Sequence, residues 1–393
     1  MIAYERLVLT FMVPFFFRTT ILGYKFSAPF FIAPAATAGY TNPLGELSLA
    51  TAAGKENLLY VVRNLPSLSI FSGLTRALIH QPSISATKSI EEIAGVRLPG
   101  QTMFHQEYFW ANRTQIVDEL RRLEAGGFKA IFLTIDNTGI EGIRTRSIRF
   151  TGQSAPSEHA SDTSLEALAE LQTLTSLPIV PKGIRSATDA VKAMNAGFPA
   201  IYISNHGGRT IDGAASSLEI VLDIKRNAPE VFERMEVYAD GGVRRGNHVL
   251  ALLALGVRAV GMGRSPMFAN IYGEDGVRRL IQMMKTEIQT TSKLLGVDGP
   301  LVGTIDESYV RSCYFCLILS RSLLTTYFRS TLVISSSSTT DGLSKPTPQY
   351  HDHIMTPLLS KGCIPPLKSP PLPRRPTTIV EPTFFFGSLL GLL

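Results

Sequence analysis

The chain has 393 residues, 45% of them hydrophobic, which is enough for one large α/β barrel or two ordinary domains. Its formal net charge of +6 is uneven, because residues 311–393 carry eight Lys or Arg and three Asp or Glu. The first 310 residues are therefore nearly neutral, and a basic nucleic-acid-binding face is not indicated. All three cysteines lie beyond residue 312, so the main body has no disulfide framework and no thiolate metal site.

Short apolar runs alternate with helix-like segments from residue 24 onward. In chain order the predicted strands are 30–33, 58–62, 102–108, 130–136, 178–182, 200–204, 236–240 and 259–263. The predicted helices are 46–55, 89–94, 114–125, 165–174, 187–196, 217–226, 247–255 and 275–295. Eight strand–helix units in about 280 residues predict a parallel (β/α)8 barrel of the TIM type. An open doubly wound sheet is the alternative.

Polar residues cluster where these predicted strands end, which is where barrel enzymes build their sites. They are Gln106, Thr134, Asp136, Lys182, His206, Asp240 and Arg264. His206 is followed closely by Arg209. An imidazole can take a proton near neutral pH, and a guanidinium can grip a carboxylate. This pattern indicates chemistry on a small organic acid.

Two glycine-rich turns follow the seventh and eighth predicted strands, at residues 240–246 and 261–264. Glycine lets backbone amides approach a phosphate closely, and arginine adds a planar charged fork. Barrels often bind phosphate at these two loops. The sequence therefore predicts a phosphate-bearing cofactor or substrate, and it predicts no metal site.

Five motifs carry a family resemblance: SNHGGR at 204–209, DGGVRRG at 240–246, GMGR at 261–264, PAA at 34–36 and LTID at 133–136. With them the chain resembles, over about residues 20–300, the FMN-dependent 2-hydroxy-acid oxidases and dehydrogenases. Glycolate oxidase, lactate oxidase and the flavin domain of flavocytochrome b2 are members. The resemblance implies FMN as the cofactor and oxidation of a small L-2-hydroxy acid, lactate- or glycolate-like, to the 2-oxo acid.

The resemblance also implies a catalytic set. His206 would be the base, Asp136 would pair with its imidazole, and Arg209 would hold the substrate carboxylate. Lys182 would stabilise negative charge on the reduced flavin, and Tyr108 would meet the substrate. A further arginine of the fourth loop would help to bind substrate, and Arg144 and Arg146 both remain open for that role.

A second implied set would bind the cofactor. Pro34, Ala35 and Ala36 would approach the flavin through their backbone. Side chains of Ser83, Gln106, Thr134, Lys182 and Ser204 would meet the flavin ring. The ribityl chain and phosphate would be held by Asp240, Gly242, Arg244, Gly263 and Arg264.

Three segments depart from the family pattern. They are an aberrant N-terminal segment at 1–22, which lacks the family's substrate-binding tyrosine, an insertion at 62–80, and a tail at 304–393. The barrel domain is expected at 23–303 and contains the insertion. The tail has a disorder-prone composition rich in Ser and Pro. Our hypothesis is that these segments are translated introns or frame errors, with a genuine divergent protein as the rival.

Two functions follow from this sequence. The first is the FMN-dependent oxidoreductase, and the alternative is a flavin-binding barrel with impaired or no turnover. The electron acceptor would be oxygen or a separate acceptor, and family resemblance suggests a homo-tetramer. The apolar run at 7–17 is shorter than the ~20 residues that span a bilayer, so no membrane association is expected. A cytoplasmic location is expected, with mitochondrion and peroxisome as alternatives.

Overall fold

Eight parallel strands close into a barrel in the computed structural model, which describes residues 2–3, 18–63, 87–108, 112–136, 164–211, 213–297 and 300–312. The strands are β1 Phe30–Ile32, β2 Tyr60–Arg63, β3 Met103–Tyr108, β4 Ile131–Thr134, β5 Ile179–Ile184, β6 Ala200–Ile203, β7 Glu236–Ala239 and β8 Ala259–Met262. Closure is made by β8 and β1, where Val260 pairs with Phe30. The predicted barrel is confirmed, and the open sheet is excluded because a closed barrel has no edge strands.

Helices follow each of the eight strands along the chain and cover the outer face of the barrel. They span Glu46–Lys55, Ile90–Gly95, Arg113–Ala125, Leu165–Leu171, Ala187–Asn195, Ser217–Asn227, Glu230–Arg234, Gly246–Ala254, Arg264–Ala269, Gly273–Leu294 and Leu301–Thr304. Serines begin several of them; Ser89 and Ser216 each form a capping box with a glutamate three residues later. The alternating sequence pattern thus reflects strands followed along the chain by helices, several of which begin at a capping serine.

The barrel interior is filled by aromatic rings rather than by a channel. Phe132 contacts Phe104, Tyr202 and Tyr238 with ring centroids 5.2–5.7 Å apart. A hairpin of two antiparallel strands, Thr19–Ile21 and Tyr24–Phe26, packs against this layer. The amide of Leu22, in its turn, donates to Glu236 at the start of β7. The hairpin therefore closes the end of the barrel where the strands begin, and the opposite end remains for a site.

Candidate active site

A polar layer lies directly above the aromatic interior, at the carboxyl end of the strands. Successive strand residues face opposite sides, so every second residue points inward. The inward positions above the rings belong to Arg63, Gln106, Tyr108, Thr134, Lys182, Ser204 and Asp240. All except Asp240, which is half-buried, are at least nine-tenths buried. The folded barrel thus brings these polar side chains, drawn from β2 to β7, into one ring.

His206 lies in the turn after β6 and is paired with Asp136. Its Nδ1 is 2.8 Å from Oδ1 of Asp136, and its Nε2 is 3.5 Å from the hydroxyl of Tyr108. His206 has φ +56°, a left-handed backbone that few non-glycine residues adopt, and its amide donates to Ser204 Oγ at 3.1 Å. Such strain is maintained only where surrounding contacts over-determine it, as at active sites.

The electrostatic surroundings favour a neutral imidazole beside an ionised carboxylate. Burial lowers the pKa of His206, and the positive charges of Lys182 and Arg209 act in the same direction, against the raising effect of Asp136. Burial by itself would raise the pKa of Asp136, but the hydrogen bond with His206 and the nearby positive charges bring it below its ordinary value. In the neutral imidazole, Nδ1–H then donates to Asp136, and Nε2 keeps a lone pair that can accept a proton.

Two arginines flank the histidine turn. Arg209 donates from Nε to the carbonyl oxygen of His206 at 3.0 Å, and Arg264 donates from Nη2 to that of Gly207 at 3.1 Å. Both side chains remain exposed to solvent. Reduced hydration and the positive charges of Arg63 and Arg264 lower the pKa of Arg209. Arg209 therefore offers its remaining guanidinium hydrogens to an anion next to the imidazole.

Lys182 provides a buried positive charge on the same rim. It is 5% exposed, its Nζ donates to Ser204 Oγ at 3.3 Å, and it lies 5.3 Å from the centroid of the Tyr202 ring. Among the described residues, no carboxylate lies within ion-pair distance of Nζ. Next along the rim, Gln106 donates from Nε2 to Thr134 Oγ1 at 2.9 Å. These four side chains form one arc of hydrogen-bonding groups.

The two glycine turns lie at the far side of the rim. Gly241 and Gly242 have φ of +101° and +74°, and a Cβ added to Gly242 or Gly263 would meet no atom within 4 Å. Tyr202 donates to Asp240 Oδ2 at 2.9 Å, whereas Oδ1 of Asp240 is buried without a partner among the described residues. The turns therefore leave open space beside exposed backbone, next to the unpartnered acceptor Oδ1 of Asp240.

This donor set fits FMN. The arc of Gln106, Thr134, Lys182 and Ser204 offers amide, hydroxyl and ammonium groups to a ring edge of alternating carbonyls and N–H groups. The open glycine turns and Arg264 suit a phosphate, and the unpartnered Oδ1 of Asp240 suits a hydroxyl of a sugar-alcohol chain. The residues present can therefore hold the ring, the chain and the phosphate of this cofactor.

The remaining predicted residues fall in three groups. Pro34, Ala35 and Ala36 form the half-buried turn after β1. Arg244 is exposed, and its amide donates to His248 Nδ1 at 3.3 Å. The remaining three lie outside the described residues: Ser83, Arg144 and Arg146.

One rim residue was missed by the sequence reasoning. The prediction ended the second strand at Val62 and began an insertion there, whereas β2 extends to Arg63. Arg63 is 5% exposed, and its guanidinium carbon is 4.8 Å from the centroid of the Tyr108 ring. The alternation of inward and outward residues along β2 could have identified Arg63. Leu59 and Val61 face the barrel interior, and Arg63 is the next inward position.

Two further searches cover only the part of the chain that the structure describes. There, no helix is long and apolar enough to cross a membrane. Those residues also contain no group of three or more His, Cys, Asp or Glu arranged to hold a metal ion.

Comparison with known proteins gives consistent relatives. The family model described as FMN-dependent dehydrogenase matches residues 8–72, 75–163 and 151–311. Glycolate oxidase of Spinacia oleracea is 34% identical over 306 residues, covering 71% of this chain and 76% of that protein. A peroxisomal (S)-2-hydroxyacid oxidase of Arabidopsis thaliana is 32% identical over 319 residues, covering 75% and 80%. L-lactate dehydrogenase (cytochrome) of Wickerhamomyces anomalus is 31% identical over 302 residues, and the match spans only 49% of its length.

Solved structures agree in fold. A mandelate oxidase structure is similar with a TM-score of 0.65 and 30% identity, covering 79% of this chain and 86% of that one. A flavocytochrome b2 structure gives a TM-score of 0.69 at 24% identity, covering 90% and 84%, which supports the fold alone. Because the family model spans most of the chain and relatives above 30% identity are covered over more than two thirds, the chain belongs to the FMN-dependent dehydrogenase family.

Proposed function

We propose that the protein oxidises a small L-2-hydroxy acid to the 2-oxo acid, with His206 as the base and FMN as the immediate electron acceptor. The observation that carries this proposal is the His206–Asp136 pair, 2.8 Å apart, beside Arg209 and the buried Lys182. A base, a carboxylate clamp and a buried positive charge are the groups that this oxidation needs. The names of the relatives support the substrate class.

In the reaction, the substrate C2–H and O–H bonds break and a C=O bond forms, so that two protons and two electrons leave. Arg209 binds the substrate carboxylate and so orients the carbon. His206 accepts a proton at Nε2, and Asp136 holds the ring orientation and stabilises the imidazolium that forms. Tyr108 presents its hydroxyl beside that same nitrogen.

FMN, when bound, would supply the acceptor for the two electrons and for the second proton of this oxidation. The protein contributes Lys182, whose buried positive charge would stabilise negative charge on the reduced flavin, because little water screens it there. Oxygen or a separate acceptor would then take the electrons. A homo-tetramer and a cytoplasmic location remain part of the proposal, with the mitochondrion and the peroxisome as alternatives, the latter supported by the peroxisomal relative.

The test is anaerobic reduction of the purified, FMN-loaded protein. L-lactate or glycolate should bleach the flavin absorbance. In His206→Gln we expect bound FMN to be retained and bleaching to slow by at least about 100-fold, because the proton acceptor is lost. Lys192→Gln, at an exposed position on the helix Ala187–Asn195, is the control and should bleach like the wild type.

Bleaching of His206→Gln at the wild-type rate would show that another group is the base. A yellow protein that no 2-hydroxy acid bleaches would instead point to flavin binding without turnover. A folded protein that binds no flavin would contradict both functions.

A further inference from the structure

Arg63 is a buried arginine that has no hydrogen-bonding partner among the residues described by the structure. Within the residues that the structure describes, its guanidinium makes no hydrogen bond and no ion pair, and its Nε is fully buried and unsatisfied. Leaving a buried charged donor unpaired is costly, so buried arginines normally contact an anion. Its guanidinium stacks on the face of the Tyr108 ring, with the guanidinium carbon 4.8 Å from the centroid.

The contact with Tyr108 places Arg63 on the substrate side of the site. The hydroxyl of Tyr108 is 3.5 Å from Nε2 of His206, the atom that would take the substrate proton. A cation stacked on that same ring is therefore close to the reacting carbon. The phosphate end of the site, by contrast, is formed by the turns after β7 and β8.

The topology places Arg63 and Arg209 on facing walls. In the barrel order β7-β8-β1-β2-β3-β4-β5-β6, strands β2 and β6 are four positions apart and so lie diametrically opposite each other. Arg63 ends β2, whereas His206 and Arg209 follow β6. The two guanidiniums are near enough for the charge of Arg63 to lower the pKa of Arg209.

The described acidic groups of the rim do not neutralise Arg63. Asp136 is engaged by His206, and Asp240 accepts from Tyr202. Glu107 lies on the outward face of β3, because the inward positions of that strand are Phe104, Gln106 and Tyr108. One substrate carboxylate bound to Arg209 would leave the charge of Arg63 uncompensated on the opposite wall.

We propose that Arg63 binds a second anionic group of the substrate, so that this enzyme prefers 2-hydroxy acids with an acidic group at each end. The inference rests on the proposed function for the identity of the reacting end, and it takes the rival hypothesis for the 62–80 segment, in which Arg63 belongs to a genuine divergent protein and ends β2. A 2-hydroxy dicarboxylate would extend from Arg209 to Arg63, with its C2 hydrogen beside His206. Each arginine would then satisfy one carboxylate with two parallel hydrogen bonds.

The experiment measures equilibrium binding by perturbation of the flavin spectrum in the FMN-loaded full chain. Dissociation constants are compared for 2-oxoglutarate and 2-oxobutyrate, which differ by the distal carboxylate, and for 2-oxosuccinate and pyruvate. The wild type should bind each diacid at least about 10-fold more tightly than its monoacid, the effect of one charge-assisted bidentate contact. Bleaching rates with L-2-hydroxyglutarate and L-lactate are measured in parallel.

In Arg63→Met the ratio of diacid to monoacid affinity should fall to near one. Arg63→Lys should retain part of the preference, because it keeps the charge and loses the fork. Arg226→Met, at an exposed helical arginine, is the matched control and should keep the wild-type ratio.

Equal affinity for diacid and monoacid in the wild type would overturn the inference. An equal loss of both affinities in Arg63→Met would do the same, since it would place both arginines on one carboxylate. If no 2-hydroxy acid bleaches the flavin, the proposed function fails, and the binding ratio still decides the role of Arg63.

Discussion

Asp136 controls both the orientation of the His206 ring and the charge of its surroundings. The carboxylate holds Nδ1 at 2.8 Å and opposes the burial that lowers the pKa of the imidazole. Without that carboxylate, burial and the charges of Lys182 and Arg209 would act unopposed. Under the proposed function, Asp136 would therefore have two separable effects, one on the pH at which the base becomes active and one on the rate.

We predict both effects for Asp136→Asn. The base works when deprotonated, so the reduction rate rises with pH through the pKa of His206 and then levels off. Removing Asp136 lowers that pKa further, which shifts the rising limb to lower pH. The plateau should fall by about 100-fold or more, because the imidazolium loses its partner.

Stopped-flow reduction of the flavin across pH measures both quantities. Asp118→Asn, at an exposed carboxylate, should reproduce the wild-type profile. A limb that moves to higher pH, or an unchanged plateau, would contradict the assignment of Asp136.

At the scale of elements, strand β5 contains an irregularity that makes room for this pair. The register with β6 shifts between Lys182 and Ile184, and the intervening Gly183 has φ +109°. A Cβ built on Gly183 would fall 2.7 Å from Cβ and Cγ of Asp136. Glycine at this bulge therefore allows Asp136 to lie against β5 while it holds His206.

Gly183→Ala should displace Asp136 and weaken its bond to His206. We expect flavin reduction to slow by at least about 10-fold, since small misplacements of catalytic groups are costly. The free energy of unfolding should fall by about 1–3 kcal/mol. Gly197→Ala is the matched control: its φ is +80°, but a Cβ there meets nothing within 4 Å.

The control should lose about 1 kcal/mol of stability from its backbone conformation and keep its reduction rate. Urea unfolding and anaerobic reduction of both variants measure the two effects. Equal rates in Gly183→Ala and Gly197→Ala would show that the bulge does not position Asp136.

The elements were predictable from sequence where the signal was local. Apolar runs that alternate with helix-like segments located all eight strands, and polar residues at the strand ends located most of the rim, as Lys182 and Asp136 illustrate. Arg63 was missed because its strand leads into a segment that interrupts the family pattern. The bulge at Gly183 was invisible, because a register shift depends on how two distant strands pair.

At the scale of the whole molecule, a titratable group is buried between the barrel and its helices. His105 on β3 is fully buried, with its ring 5.4 Å from that of Phe128. Burial, with a smaller effect from Arg122, lowers the pKa of His105 to about 3. The folded protein therefore keeps this imidazole neutral at pH values where the unfolded chain would protonate it.

This difference predicts an acid-sensitive fold. The folded pKa lies below the unfolded value of 6.5, so the contribution of His105 to stability is complete above about pH 6.5 and is lost as pH falls towards 3. Between pH 7 and pH 5 the loss amounts to about 2 kcal/mol for one proton.

Urea unfolding of the wild type and of His105→Leu at both pH values tests this expectation. Leucine has a similar volume and cannot titrate, so the variant should lose about 2 kcal/mol less than the wild type over this interval. Parallel losses in the two proteins would show that His105 does not cause the acid sensitivity.

The aromatic interior, together with the hairpin at the end of the barrel where the strands begin, affects how small molecules reach the site. In the part of the chain that the structure describes, the hairpin covers one end of the barrel and aromatic rings fill its middle, so the polar rim faces outward at the carboxyl end of the strands. Under the proposed function, the hydroxy acid, its oxidised product and the electron acceptor would approach the site at that end. We expect the product and the electron acceptor to compete for access to the flavin, because both would use the same opening.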